Sequence, residues 1–391
     1  MSEKAKFAKG AKKIDLRTFT MVAVLIILWI VFTFFTSNGF SDIGTSFLSV
    51  RNLSNLARQM AIVGIMGSSM VMIIVTGGID LSAGCVAGFI GCIAAYLQVR
   101  LDMATGTVIV ICLLLTLVIY FIQGVVIAYA EIVPFIVTLG GQLVFSGLIL
   151  AVTKGATIAP LKESLKFFGG EYVSSSIGIV IVLLMIIIML INELQRRKSK
   201  QKHGTVSESI QFMFMRWGFS SVLLLAAVLI MNSYRGVPVP VLILGTIVIV
   251  LSIIAERTTF GRSIYAIGGN IDAARYSGIN VRKKLVIVYM IHGVAVSIAG
   301  LILAARLNAS PTTAANMGLE LDAIAAAVIG GTSMSGGVGK AMGAILGALI
   351  MASIDNGMSM LNMEAFWQYI VKGLILVGAV WFDIYSRKRS K

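Results

Sequence analysis

The chain has 391 residues, 58% of them hydrophobic and 13% charged, with a formal net charge of +15. Soluble globular domains carry roughly 25% charged residues, so a chain with a mean hydropathy of +0.95 is excluded from that class. Lipid cannot satisfy free backbone polar groups, and the apolar runs are of helix length rather than that of short alternating barrel strands. The fold class is therefore all-α, a polytopic transmembrane helix bundle of about 10–12 segments with Gly-broken helices.

In chain order, residues 1–18 form a basic stretch carrying Lys4, Lys6, Lys9, Lys12, Lys13 and Arg17. The apolar run at 19–36 lacks a small-x-small cleavage pattern after it, in TFFTSNGFSD, and reads as an uncleaved first helix. Further apolar segments lie at about 60–76, 83–98, 107–130, 133–152, 177–192, 217–233, 238–255, 286–304, 321–333, 339–354 and 367–383. The segments at 321–333 and 339–354 are short and Gly-rich, as half-helices would be. Three further basic clusters follow: Arg196 to Arg216, Arg257 to Lys284, and Arg387 to Lys391. Twelve crossings place all four clusters on one face, and basic loops face the cytoplasm. The positive charge thus reads as topology and lipid-headgroup contact, not a nucleic-acid surface. Cys85, Cys92 and Cys112 lie in apolar runs and read as packing residues. His203 and His292 are far apart, with neither metal-ligand spacing nor a catalytic setting, so no metal site is expected.

One break in the apolar pattern occurs twice. Residues 77–84 read GGIDLSAG and residues 330–337 read GGTSMSGG. Gly-interrupted apolar segments in corresponding places can mark a substrate path, because irregular backbone at membrane depth must line water or be buried in protein. A pair of tight turns at the membrane surface is the alternative. Asp80 favours the path, since an acid in hydrocarbon costs a few kcal/mol unless paired or wet. Replacing it with leucine makes the segment more apolar and is expected to leave insertion little changed. The second copy continues as GGVGKAMG, but Met334 and Ala341 stand where a phosphate loop needs Gly and Ser or Thr.

Residues 256–284, ERTTFGRSIYAIGGNIDAARYSGINVRKK, form a long cytoplasmic loop. Asn270 caps a short helix, Asp272 suits its N-terminal dipole, and Gly278 ends it. A helix whose Ala273 and Ala274 are small allows another surface to approach closely.

Asp-Ala-Ala-x3-Gly resembles the Glu-Ala-Ala-x3-Gly loop of ABC importer membrane subunits. GGIDLSAG resembles the Gly-Gly-x-Asp-Leu-Ser-x-Gly of the ribose/xylose/galactose branch. IYAIGGNIDAARYSGINV, ELDAIAAAVIGGTSMSGGVG, IMASIDNGMSM and FWQYIVKGLILVGAVWFD look most like the xylose-type, multiple-monosaccharide permeases. The resemblance covers roughly residues 50–154 and 234–385. Asp272 stands where the broader motif has Glu, and no Ile-x-Leu-Pro follows. Residues 155–233 match less well, and 177–233 look like two added transmembrane segments.

The resemblance implies one transmembrane permease domain over 1–391, in a bacterial inner membrane, multi-pass, with both termini cytoplasmic. It would be the permease subunit of an ATP-driven importer for a xylose-like pentose or related hexose. ATP would be hydrolysed in a separate cytoplasmic ATP-binding subunit, so the chain itself would be no enzyme and hold no cofactor. That subunit would couple through Gly268, Gly269, Asn270, Asp272, Ala273, Ala274 and Gly278 in the 256–284 loop. A periplasmic or extracellular sugar-binding protein would deliver substrate to a homodimeric pore. Gly77, Gly78, Asp80, Ser82, Gly84, Gly330, Gly331, Ser333 and Ser335 would lie at the translocation pathway or its gate. The competing reading is a secondary transporter or channel for a small polar solute.

Overall fold

The computed structural model describes residues 16–37, 39–42, 44–202, 209–316 and 318–388. Lys4, Lys6, Lys9, Lys12, Lys13, His203, Arg389 and Lys391 lie outside the described residues. In chain order the α-helices are α1 (Leu16–Thr36), α2 (Val50–Val75), α3 (Ala83–Val99), α4 (Thr105–Tyr129), α5 (Pro134–Thr153) and α6 (Glu163–Gly170). Then come α7 (Ser175–Lys202), α8 (Ile210–Asn232), α9 (Val239–Arg257), α10 (Thr259–Gly269), α11 (Ile271–Tyr276) and α12 (Val281–Leu307). The last three are α13 (Leu319–Ile329), α14 (Gly343–Met360) and α15 (Ala365–Lys388). Two-residue strands β1 (Tyr172–Val173) and β2 (Val237–Pro238) make a small sheet.

Each of the apolar segments read from the sequence falls on a helix. Among the described residues nine helices are long and apolar enough to cross a membrane, and Thr20–Thr36 and Ala83–Val99 are shorter apolar helices. Of the two segments expected to be half-helices, α13 has 11 residues. At 1.5 Å per residue it falls well short of a bilayer core of about 30 Å. The other differs from expectation: α14 has 18 residues. Its sequence continues apolar through Asp355 and Asn356, both of which have partners inside the bundle.

Local chemistry sets the helix starts. Ser49 Oγ accepts from the Asn52 N–H at 3.4 Å to cap α2. Proline occupies the first turn of α5 and of α9, where no N–H is needed.

Residues 21–171 and 238–391 form one compact unit. At its centre α2 packs on α12, α13, α14 and α9, and α12 also packs on α3 and α4. Small residues set these approaches. A methyl group at Gly300 would strike the Ala87 carbonyl of α3, and one at Gly347 would strike the Ala326 carbonyl of α13. α2 is largely buried, whereas α4, α5 and α15 expose apolar side chains such as Leu114, Leu143 and Leu374. Lipid is the natural partner of such outer helices.

Of the described residues, 16–20 and 172–237 fall in a second unit. In it α7 and α8 run antiparallel, with Trp217 Nε1 donating to the Ile186 carbonyl at 3.1 Å and Arg216 pairing with Glu193 at 2.7 Å.

Candidate functional site

Both copies of the repeat begin as a helix C-terminus. At the end of α2 the Gly78 N–H donates to the Ile73 carbonyl at 3.0 Å, and Gly77 has φ +84°. At the end of α13 the Thr332 N–H donates to the Ala327 carbonyl at 3.0 Å, and Gly331 has φ +103°. These are Schellman closures, which need a left-handed residue just past the helix. The first copy uses the first glycine of its pair for that position and the second copy uses the second. The turns then repeat one hydrogen bond. Asp80 Oδ1 accepts from the Ser82 N–H at 2.7 Å, and Ser333 Oγ accepts from the Ser335 N–H at 3.1 Å. The internal repeat is therefore structural as well as textual.

The surroundings of the two turns differ. Asp80 and Ser82 are wholly buried. Asp80 Oδ1 also accepts from Ser82 Oγ at 2.7 Å, and Oδ2 accepts from the Tyr120 hydroxyl of α4 at 2.8 Å. His292 Nε2 of α12 stands 3.2 Å from Asp80 Oδ2, at ion-pair distance but without the alignment of a hydrogen bond. His292 Nδ1 lies 2.8 Å from Ser69 Oγ of α2, and the ring meets Tyr120 edge to face at 5.5 Å. Gln123 Nε2 donates to Ser82 Oγ at 3.1 Å, and Thr138 of α5 donates to the Ile79 carbonyl at 3.1 Å. Four helices thus hold the first break. Leucine at position 80 would strand the Tyr120 hydroxyl and the Ser82 donors, a cost to the folded bundle that the added apolarity does not offset. A buried polar group left without its partner costs about 1–3 kcal/mol.

The second break is more open. Ser333 is buried, but Ser335 and Val338 are exposed. Several of its close neighbours are backbone atoms. The Gly337 N–H donates to the Val75 carbonyl at 2.9 Å, so the last residue of α2 bonds directly to the second break. The end of α10 packs on the same point: a methyl group at Gly268 would strike the Val75 carbonyl and come 2.6 Å from the Gly337 nitrogen. One at Gly269 would meet nothing within 4 Å. Tyr265 of α10 donates to the Gly339 carbonyl at 2.7 Å. The structure therefore joins two residue groups that lie apart in the sequence, with Gly268 of the loop set against the end of α2 and the second break.

From there the loop runs outward as the sequence suggested. Asn270 Oδ1 accepts from the Ala273 N–H at 2.9 Å, capping α11. Gly278 has φ +81°. Asp272 and Ala273 are exposed and Ala274 is buried. Tyr276 is 90% exposed, an unusual position for a tyrosine with nothing to cover it. Nearby, Arg282 donates to Glu131 at 2.8 Å. That hydrogen bond, with the charge of Arg282 and a smaller contribution from Arg275, holds the Glu131 carboxyl below the usual range.

Gly84 and Gly330 mark close approaches instead of openings. A methyl group on Gly84 would strike Glu320 Oε2, and one on Gly330 would meet the Gly343 backbone. The three cysteines are buried thiols.

Sequence reasoning missed three features. His292 looked like a histidine in an apolar run, yet it lies against Asp80. Glu320 and Asp322, acids at the start of α13 that were not singled out from the sequence, are both buried. Lys372, also not singled out there, pairs with Asp322 and Asp355, both at 2.8 Å. A signal for the last was present: one lysine within the apolar run after Trp367, opposite two acids on the preceding segments.

The family model described as branched-chain amino acid transport system / permease component matches residues 143–380. The chain is 43% identical to the xylose transport system permease protein XylH of Escherichia coli (strain K12), over 97% of this chain and 95% of that one. It is 40% identical to XylH of Haemophilus influenzae, over 97% and 99%. It is 30% identical to the ribose import permease protein RbsC of Escherichia coli (strain K12), over 93% and 92%. No solved structure matches. A bundle of apolar helices with paired breaks and this extent of likeness lead to one conclusion: the chain belongs to the family of transport-system permease components.

Proposed function

We propose that the chain is the membrane-spanning permease subunit of an ATP-driven ABC importer for a monosaccharide, xylose or a related sugar. The observation that carries this is the near full-length likeness to xylose permeases. In this reading a cytoplasmic ATP-binding subunit supplies the energy and an extracytoplasmic sugar-binding protein supplies the sugar. Two copies form the pore in the inner membrane, with both termini, the basic stretch 1–18 and the 256–284 loop on the cytoplasmic side. Residues 177–233 are an added pair of transmembrane segments.

The geometry supports a division of labour. The ATP-binding subunit docks on α11, where Tyr276, Asp272 and Ala273 are exposed. Its movement reaches the pathway through α10, because Gly268 bears on Val75 and Gly337. The second break, with Ser333, Ser335, Gly330 and Gly331, is the part of the gate that moves. The first break, with Gly77, Gly78, Asp80, Ser82 and Gly84, is the part that holds. Asp80 acts as a clamp on helices α4 and α12 and is not a sugar ligand, since both of its oxygens already accept from Ser82 and Tyr120.

The test is uptake of radiolabelled pentoses and hexoses in a strain deleted for this gene, with the gene returned on a plasmid. Restored xylose uptake that disappears when the ATP-binding subunit is removed is expected. Uptake that persists without any ATP-binding subunit, driven by an ion gradient, would overturn the reading in favour of a secondary transporter. Labelling of Ser277→Cys by a membrane-impermeant reagent in spheroplasts would overturn the orientation.

A further inference from the structure

At the end of α2 and α12 away from α10 lies a cavity of about 560 Å³. Small-molecule sites span roughly 300–1,000 Å³. α12 begins beside the loop at Val281 and contributes Arg306 here, near its other end. α2 contributes Gln59 from its early turns, whereas its last residue, Val75, meets Gly337. The cavity and the loop junction are therefore at opposite ends of the same two helices.

Its polar wall is built from Asp322 of α13, Asp355 of α14 and Lys372 of α15. Lys372 bridges the two carboxylates at 2.8 Å each, which fixes their positions. Each carboxylate spends one oxygen on the lysine. The other, Oδ1 in both, is buried and finds no hydrogen-bond donor, and Asp322 as a whole is fully buried. Gln59 Oε1 is in the same condition. Three acceptors without donors on one cavity wall call for a ligand that brings donors. Two acids against Lys372 and Arg306 leave the lining with no net charge, so an ion of either sign gains nothing overall. A neutral molecule with several hydroxyls fits, because each hydroxyl donates and also accepts.

We propose that this cavity is a monosaccharide-binding subsite, with Asp322, Asp355 and Gln59 accepting from sugar hydroxyls and Lys372 holding the acids in place. This rests on the transport reading above and adds to it a site apart from both breaks. A proton shared by the two carboxylates would also satisfy them, and the experiment separates the cases.

Ser359 lines the cavity and is exposed, whereas Glu364 is exposed without lining it. Ser359→Cys and Glu364→Cys are made in the full chain, reconstituted in nanodiscs with the ATP-binding subunit, and reacted with a small thiol reagent. The wild type, with its cysteines buried, is the blank. D-xylose is the probe. It is expected to slow labelling at position 359 several-fold and to leave position 364 unchanged. Adding Asp322→Asn, with melting temperature measured in parallel, is expected to raise the xylose concentration for half-protection roughly tenfold, as loss of a charge-assisted hydrogen bond should. Labelling at 359 that saturating xylose does not slow, or slows equally at 364, overturns the subsite. Half-protection unchanged in the Asp322→Asn variant overturns the role given to that residue. Uptake by the same variants is a separate readout, so normal uptake without protection removes the subsite and leaves the transport reading intact.

Discussion

The two breaks share a sequence pattern, a helix closure and a turn hydrogen bond, yet their surroundings differ. The first is held by side chains from four helices: Ser69 with His292, Tyr120 with Gln123, and Thr138. The second meets the backbone of Val75 and Gly268, with one side-chain hydrogen bond, from the Tyr265 hydroxyl to the Gly339 carbonyl. Side-chain clamps around a buried carboxylate resist motion, because every displaced partner becomes an unsatisfied buried group. A backbone junction between glycines can slide with little loss of packing. The difference teaches that a repeated motif supplies the turn, and that its neighbours decide how firmly it is held; the proposed division into a holding and a moving break rests on that contrast.

The comparison can be broken at the junction first. Gly268→Ala sets a methyl group against the Val75 carbonyl, which cannot step aside as a flexible side chain would. Overpacking of this kind costs about 1–3 kcal/mol and sometimes more, so uptake per inserted molecule is expected to fall roughly ten- to a hundred-fold. Gly269→Ala, with nothing within 4 Å, is expected to transport like the wild type. Equal effects at 268 and 269 would remove the junction from the account.

The clamp comes next. Asp80→Asn keeps the shape but turns an amide toward groups that donate, and a lost charge-assisted hydrogen bond costs about 1.5–3 kcal/mol. Thermal melting in detergent and uptake are expected to drop together, with Asp80→Leu worse in both. Uptake lost at unchanged melting would mean that Asp80 touches the sugar after all.

Ser333→Ala sharpens the contrast from the other copy. It removes the neutral counterpart of the Asp80 bond, worth about 0.5–1.5 kcal/mol, beside an exposed Ser335 that water can satisfy. Its melting shift is expected to be clearly smaller than that of Asp80→Asn. An equal or larger shift would make the two turns alike in strength.

The smallest effect is expected from Glu131→Gln. Arg282 lowers the Glu131 carboxyl below its unfolded value. The pair therefore contributes above the ordinary carboxylate range and loses that contribution as pH falls through the lowered value. Both side chains are exposed, so little is at stake. Wild type and variant are expected to melt within a degree or so of each other at neutral pH. Any small gap should close in acid, and a gap that widens there would contradict the assignment.

Much of the bundle was legible in sequence because lipid leaves few choices: apolar runs must be helices, and each run fell on one. The repeat, the Asn270 cap and the Gly278 turn were legible because local rules fix them. The clamp was not, because His292 and Tyr120 reach Asp80 from segments 212 and 40 residues away along the chain, as the positions themselves show. The Lys372 bridge was hidden for the same reason, since α13, α14 and α15 meet only in the folded chain. The length of α14 was misjudged because its apolar run is short and Gly-rich, whereas the helix runs on through Asp355, whose partner Lys372 lies on another helix.

The most direct test follows amide hydrogen exchange in the complex of this permease with its ATP-binding subunit, with and without a non-hydrolysable ATP analogue. The peptides to read are 76–82 and 330–342, the two breaks. The account predicts that nucleotide changes protection across 330–342, including the Gly337 amide bonded to Val75, and leaves 76–82 as it was. A change across 76–82 as large as that across 330–342, or a change across 76–82 alone, would contradict it.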